Sequence, residues 1–139
     1  MLWQWGVART NTWINQGILW GGGLCGIWNG PSTPSYQEVI AAGHNTVSTV
    51  PVGSWARFEA LFNNATTDYL KAGSTSVTGQ SNGTPGSFSA TWLASNSTPA
   101  LFWAGSLAAH LMTIGQPTAA EKAALTAAAA RKYGTGVLV

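Results

Sequence analysis

The sequence predicts a mainly antiparallel β domain closed by one short helix near its carboxyl end, on three observations. Clusters of Gly, Ser, Thr, Asn and Pro recur at 21–23, 29–35, 63–67, 73–86 and 95–99, leaving room between them for strands of about five to eight residues. Residues 55–62 alternate with a period of two, Ala56, Phe58, Ala60 and Phe62 falling on one face and Arg57 and Glu59 on the other, as a half-buried strand with one solvated face requires. Thr118-Ala119-Ala120-Glu121 is a capping box ahead of an alanine run, and it starts a helix by satisfying free backbone N–H groups.

Taken in chain order, residues 16–20, 24–28 and 37–42 are the weaker strand candidates. After the 55–62 strand, residues 63–67 form a loop into a partner strand, 68–72, which Gly73 ends, so a hairpin is expected. Residues 87–94, with Phe88, Ala90 and Trp92 on one face, make a third segment. Residues 101–114 make a fourth, long enough to bend at Gly105. Pro117 stops that strand, and the helix runs over 118–132. Alanine has the highest helix propensity, Arg131 and Lys132 suit the negative end of the dipole, and Gly134 is a natural stop. The apolar side of this helix, Ala124, Leu125, Ala128 and Tyr133, is built of small residues and suits a lid lying close on a sheet.

At 139 residues the chain fits a single domain over 1–139. Only 7% of residues are charged and the net charge is +2, too sparse for the basic stripe that neutralises a run of phosphates, so nucleic acid is not an expected partner. Aromatic residues make up 11% and eight are tryptophan, which separates this low charge from disorder. The opening Met1-Leu2-Trp3-Gln4-Trp5-Gly6 lacks the basic region and apolar core of a secretory signal, so no export signal is expected. The apolar runs 17–28 and 99–114 are shorter than the roughly 18 residues that span a bilayer, so no membrane association is expected. Cys25 is the only cysteine; it excludes an internal disulfide and reads as a small buried apolar residue.

The order of certain segments is also familiar. Trp55-x-Arg57-Phe58-Glu59-x-x-Phe62 is followed by Tyr69-Leu70-Lys71-Ala72-Gly73, then Trp92-Leu93-Ala94, then Phe102-Trp103-Ala104-Gly105-Ser106-Leu107-Ala108. The chain closes with Pro117-Thr118-Ala119-Ala120-Glu121 through to Lys132-Tyr133-Gly134. This series resembles the second half of a concanavalin A-like, laminin-G-like jelly roll, and its ending is similar to that of such domains in bacteriophage virion proteins. The resemblance covers about residues 50–134 and implies an antiparallel jelly-roll β-sandwich. It departs from the family at Ala109, where an acidic residue is often found, and in the 54 residues before Trp55, fewer than a full jelly roll usually needs. It therefore implies either a reduced domain or a sandwich completed by neighbouring chains, which would also cover an exposed sheet edge.

Glycoside hydrolysis needs two carboxylates close together on one face. The acids are Glu38, Glu59, Asp68 and Glu121, none within two positions of another; Glu121 is explained as a helix cap and Glu59 as the solvent side of its strand. His44 or His110 with Asp68 and a serine would compose a Ser-His-Asp set, but no serine lies on a recognisable nucleophile turn. His110 reads as a core or interface histidine and His44 as a loop residue. Asp68 with Asn63 and Asn64 is the one candidate calcium cluster. Gly21-Gly22-Gly23 is not followed by Lys-Ser or Lys-Thr and reads as a turn, not a phosphate loop. The sequons at Asn64, Asn82 and Asn96 arise readily by chance in Asn/Ser/Thr-rich loops.

Tryptophan is the remaining signal. Trp55, Trp92 and Trp103 lie in predicted strands and are expected in the sandwich core. Trp3, Trp5, Trp20 and Trp28 lie in the Gly-rich first quarter, where burial is less assured, and exposed indoles stack on sugars and proteins alike. Trp20 and Trp28 with Asn29 and Tyr36 form the candidate glycan- or partner-binding set. No enzyme activity, catalytic residue, metal ligand or cofactor is expected. The resemblance and the tryptophan excess together imply a virion-located structural or accessory protein of a tailed phage, a capsid decoration or tail-fibre component. Its partners would be other virion proteins and further copies of itself. The alternative is a lectin-like module recognising host surface glycans.

Overall fold

The computed structural model describes residues 1–15, 17–22, 25–40, 43–47, 50–63, 67–78, 92–93, 102–134 and 137–138. Turn-rich punctuation separates strands β1 (Leu2–Thr12), β2 (Ile18–Gly22), β3 (Cys25–Asn29), β4 (Tyr36–Ile40), β5 (Gly43–Val47), β6 (Trp55–Phe62), β7 (Tyr69–Ala72), β8 (Thr75–Thr78), β9 (Trp92–Leu93), β10 (Ala104–Ile114) and β11 (Val137–Leu138), with helix α1 (Ala119–Tyr133) between the last two. One sheet has the order β10-β1-β6-β7-β8, with β11 pairing β6; the other has the order β5-β4-β3-β2-β9. Apart from the parallel β11–β6 pair, neighbours are antiparallel. This is the predicted β-sandwich with a C-terminal helix. Hairpins join β2 through β5 in one sheet and β6 through β8 in the other, so each sheet contains a meander, and the non-consecutive neighbours β10–β1, β1–β6 and β2–β9 complete the two sheets. The 54 residues before Trp55 supply β1 to β5, which gives strands to both sheets.

The period-two pattern explains the packing. Ala56, Phe58, Ala60 and Phe62 of β6, with Leu2 and Ala8 of β1 and Leu70 and Ala72 of β7, face Leu19, Cys25, Ile27, Tyr36 and Val47 of the second sheet. Tyr36 lies at the middle of this core, its ring 5.0 Å from that of Phe58 and 5.5 Å from Trp13, edge-on to the latter. The other face of the first sheet is not solvated. Trp3, Trp5, Val7, Leu61 and Tyr69 lie on it in a second apolar cluster closed by Ala129, Leu125 and Tyr133 of α1. The molecule is thus layered as sheet, sheet, helix, and β1 and β6 are covered on both sides. One expectation is corrected here: Glu59, read as solvent-facing, is buried; Trp3 and Trp5, whose burial the sequence left open, are core residues at 0% and 6% exposure. Trp103 joins the inter-sheet core as expected, Trp55 packs on the helix side instead, and the side chain of Trp92 lies outside the described residues.

The helix begins and ends as its sequence dictates. The Thr118 hydroxyl accepts from the Glu121 backbone N–H, and the Glu121 carboxylate accepts from the Thr118 N–H at 2.7 Å. The backbone N–H donated by Thr118, followed by its hydroxyl, holds the Glu121 carboxyl below its ordinary pKa. Arg131 and Lys132 occupy the last turn, and Gly134 takes φ +70° at the C-cap. The buried stripe centres on Ala129 and Leu125, whereas Ala124 and Ala128, predicted to face a sheet, are exposed.

Strand β10 is the longest run of the predicted fourth segment and lies at an edge of its sheet. Its register with β1 slips between Val7 and Ala8, where β10 carries Ala108 as an extra residue, and again between Thr10 and Thr12 beside Gly105. The first slip is a bulge, and the Ala108 carbonyl there accepts the Tyr133 hydroxyl at 3.0 Å, pinning the end of α1. At Gly105 the Trp103 indole lies against the backbone, so that a Cβ would collide with its ring and with the Arg9 carbonyl oxygen. The indole cannot easily yield, because it is 5% exposed and donates its N–H to Thr10 Oγ1 at 2.9 Å. Gly105→Ala is therefore expected to destabilise the fold by about 2 kcal/mol through overpacking. The check is a lowered urea midpoint at unchanged slope.

Candidate functional site

Two features outside the inter-sheet core bear on function: a charged network beneath α1, and the open flank where α1 overhangs β10.

The network gathers residues from four elements. Glu59 of β6 accepts from Trp3 Nε1 of β1 at 3.0 Å and from the Tyr69 hydroxyl of β7. Lys122 of α1 reaches Glu59 Oε1 at 3.3 Å and donates to the Tyr69 hydroxyl at 2.8 Å, while Lys71 stands 3.9 Å from Glu59 Oε2. The Lys122 ammonium also lies 5.2 Å from the Tyr69 ring centre and 5.8 Å from that of Trp3. Burial pulls the Glu59 carboxyl upward, but the hydrogen bonds from Tyr69 and Trp3 and the two lysine charges outweigh it and hold the pKa below the ordinary value. Burial and the adjacent carboxylate both push the Tyr69 hydroxyl up. Beside it, Arg57 Nη1 donates to Thr126 Oγ1 at 2.6 Å.

Chemically this cluster is a clamp. An acid or base catalyst needs a pKa near the working pH and access to substrate; Glu59 is held ionised, is 3% exposed and is saturated by donors of this chain. Two of the other acids are placed by the structure. Glu121 caps α1, and Asp68 is buried at 0% exposure; the side chain of Glu38 lies outside the described residues. Asn63 of the candidate calcium cluster donates to Thr67 Oγ1 at 2.6 Å, and Asn64 lies outside the described residues. Among the described residues no three His, Cys, Asp or Glu side chains converge. His110, on β10 opposite Gly6, is half-buried, and desolvation lowers its pKa; the side chain of His44 is outside the described residues.

The open flank is apolar. Leu111 and Thr113 of β10, Pro117, and Glu121, Ala124, Leu125, Ala128 and Arg131 of α1 line a groove of about 540 Å³. Beside it the strand edge is bare: among the described residues β10 pairs only with β1. None of its 11 residues is Asp, Glu, Lys or Arg. Leu107, Leu111 and Ile114 of β10, and Phe102 just before it, are among the exposed large apolar residues. Soluble proteins usually blunt such an edge with charge or proline; here only the bulge at Ala108 interrupts it.

Of the predicted binding set, Trp28 lies on a different face of its sheet from Asn29 and Tyr36. Asn29 and Tyr36 are paired across β3 and β4 with both side chains at 0% exposure, and Asn29 donates to the Ile14 carbonyl at 3.0 Å. Trp28, their neighbour in the strand, is half-buried and opposite Gln37, on the other face by strand alternation. Trp20 pairs Ile27 in β2, and its side chain lies outside the described residues. Alternation alone separates Trp28 from Asn29, so they cannot form one platform. The groove was missed because Ala124 and Ala128 read as the side of the helix that lies on the sheet, and Glu121 and Arg131 as parts of its cap and dipole; only the placement of β10 shows the four lining one open wall.

No protein-family model, curated protein or solved structure matches this chain. Among the described residues no helix is long and apolar enough to cross a membrane.

Proposed function

We propose that this chain is a non-enzymatic structural or accessory protein of a tailed-phage virion, a capsid decoration or tail-fibre component, working through protein–protein contacts. The observation that carries the reading is the uncharged edge strand β10 with its exposed Leu111 lining an apolar groove, a surface suited to contact with another protein. The ending from Pro117 to Gly134, similar to that of phage virion domains, supplies the setting. Glu59 and Glu121 act as clamp and cap, which supports a structural role for the acids. Sugar recognition is the weaker reading, since two of its four residues are core residues.

The test is quantitative mass spectrometry of purified particles from a phage whose genome encodes the chain. Recovery at a copy number matching capsid or tail symmetry is the expected result; absence from washed particles overturns the proposal. A glycan array separates the alternative: sugar binding abolished by Trp28→Ala would replace assembly with recognition.

A further inference from the structure

We infer that the open flank is a self-association surface, on which a second copy of this chain docks edge to edge through β10 about a two-fold axis. This deepens the proposed function by naming a partner. An antiparallel neighbour continuing a sheet is related by an axis perpendicular to it, which keeps equivalent faces on the same side. Both helices then lie on one face of the continuous sheet, across the axis from each other. Directly opposed residues must share a face. The bulge at Ala108 leaves 109–114 as the regular stretch, so the register that fits sets Leu111 against Leu111 of the second copy and Ala109 against Thr113.

The helix stripe fits the same axis. Leu125 and Ala128 stand level with Leu111 and Ala109, since they line spaces shared with both. A two-fold through the middle of the stripe sets Ala124 opposite Ala128 of the second copy and Glu121 opposite Arg131, twice over. The two groove walls are thus complementary in charge to their own symmetry mates. The small alanines permit close approach, and Leu111 and Leu125 from both copies fill the floor. Glu121 serves the cap through Oε2, which leaves Oε1 for the pairing. The strand itself carries no charge to repel its copy. The two-fold arrangement closes on itself, using one edge from each copy.

Light scattering coupled to size exclusion tests this on the whole chain over a concentration series. The expected mass is twice 14.4 kDa. Leu111→Lys sets two ammonium groups beside each other at the axis and is expected to give monomer. Arg131→Glu sets Glu against Glu twice and is expected to raise the dimer dissociation constant by about fivefold or more. Arg131→Lys keeps a cation opposite Glu121 and leaves the Thr118–Glu121 cap intact, and is expected to retain the affinity. Circular dichroism and thermal melting establish that each variant is folded, with Ala127→Lys on the outward face of α1 as the neutral control. A monomer at every concentration, a mass above two chains, or a dimer indifferent to Leu111→Lys and Arg131→Glu overturns the inference. The two proposals fail separately: a dimer absent from particles refutes the virion setting alone, and a particle-bound monomer refutes the interface alone.

Discussion

Trp3→Ala is expected to lower the unfolding free energy by about 4 kcal/mol, within the range for a buried tryptophan replaced by alanine. Trp3 has no exposed surface and lies at the junction of the first sheet with α1. Its loss opens a void between β1 and the helix that neighbouring rings cannot fill without leaving their rotamers. It also removes the N–H that bonds Glu59 at 3.0 Å and lies 3.1 Å from the Tyr69 oxygen. Trp3→Phe separates the two contributions, since most ring volume stays while the donor goes; a loss of about 1.5 kcal/mol is expected from a hydrogen bond to a charged acceptor. Urea unfolding followed by far-ultraviolet circular dichroism measures both. Equal losses for Phe and Ala would mean that the donor, not the packing, carries the effect.

The same residue shows where the sequence is legible. β6 could be read because Phe58 and Phe62 alternate with Arg57 and Glu59, and one charged face is enough to fix a period of two. The inference stopped one layer short, because a charged face is usually a wet one, and nothing local in Glu59 announces that Lys122, 63 positions later, will pair with it. β1 is the longest strand together with β10, yet it gives no alternation. Trp3, Trp5 and Val7 serve the helix while Leu2 and Ala8 serve the second sheet, so apolar residues occur on both parities. The helix termini were legible because caps are local chemistry between Thr118 and Glu121. Placing Asn29 and Tyr36 with Trp28 in one site failed for a register reason: adjacent strand positions face opposite ways, and only the β3–β4 pairing tells which face is inside. The docking flank needed tertiary information from the outset, since it combines a strand edge with a helix stripe.

Burial of a charge on a helix-facing strand also determines how stability responds to pH. The Glu59→Gln variant is expected to lose about 3 kcal/mol at neutral pH, because Lys122 and the two neutral donors then face an uncharged amide across a mostly dry interface. Lys71, with its side chain 36% exposed, contributes little of this, whereas Lys122 at 18% contributes more. In the wild type the folded state holds Glu59 below its ordinary pKa. The unfolded chain therefore takes up the proton first as the solution is acidified. The stabilisation is complete above the unfolded carboxylate value near 4.5 and is lost as pH falls through the lower folded value. Tyr69 behaves in the opposite sense, since its folded pKa is raised above 10.0. Its contribution is complete below that value and declines as pH rises past it, when the unfolded chain ionises and the folded one does not. Urea midpoints across the pH range should thus fall off at both ends in the wild type. Glu59→Gln should flatten the acid limb and Tyr69→Phe the alkaline one. An acid limb as steep in Glu59→Gln as in the wild type would show that another carboxylate governs acid unfolding and that the clamp under α1 is not what holds the helix down.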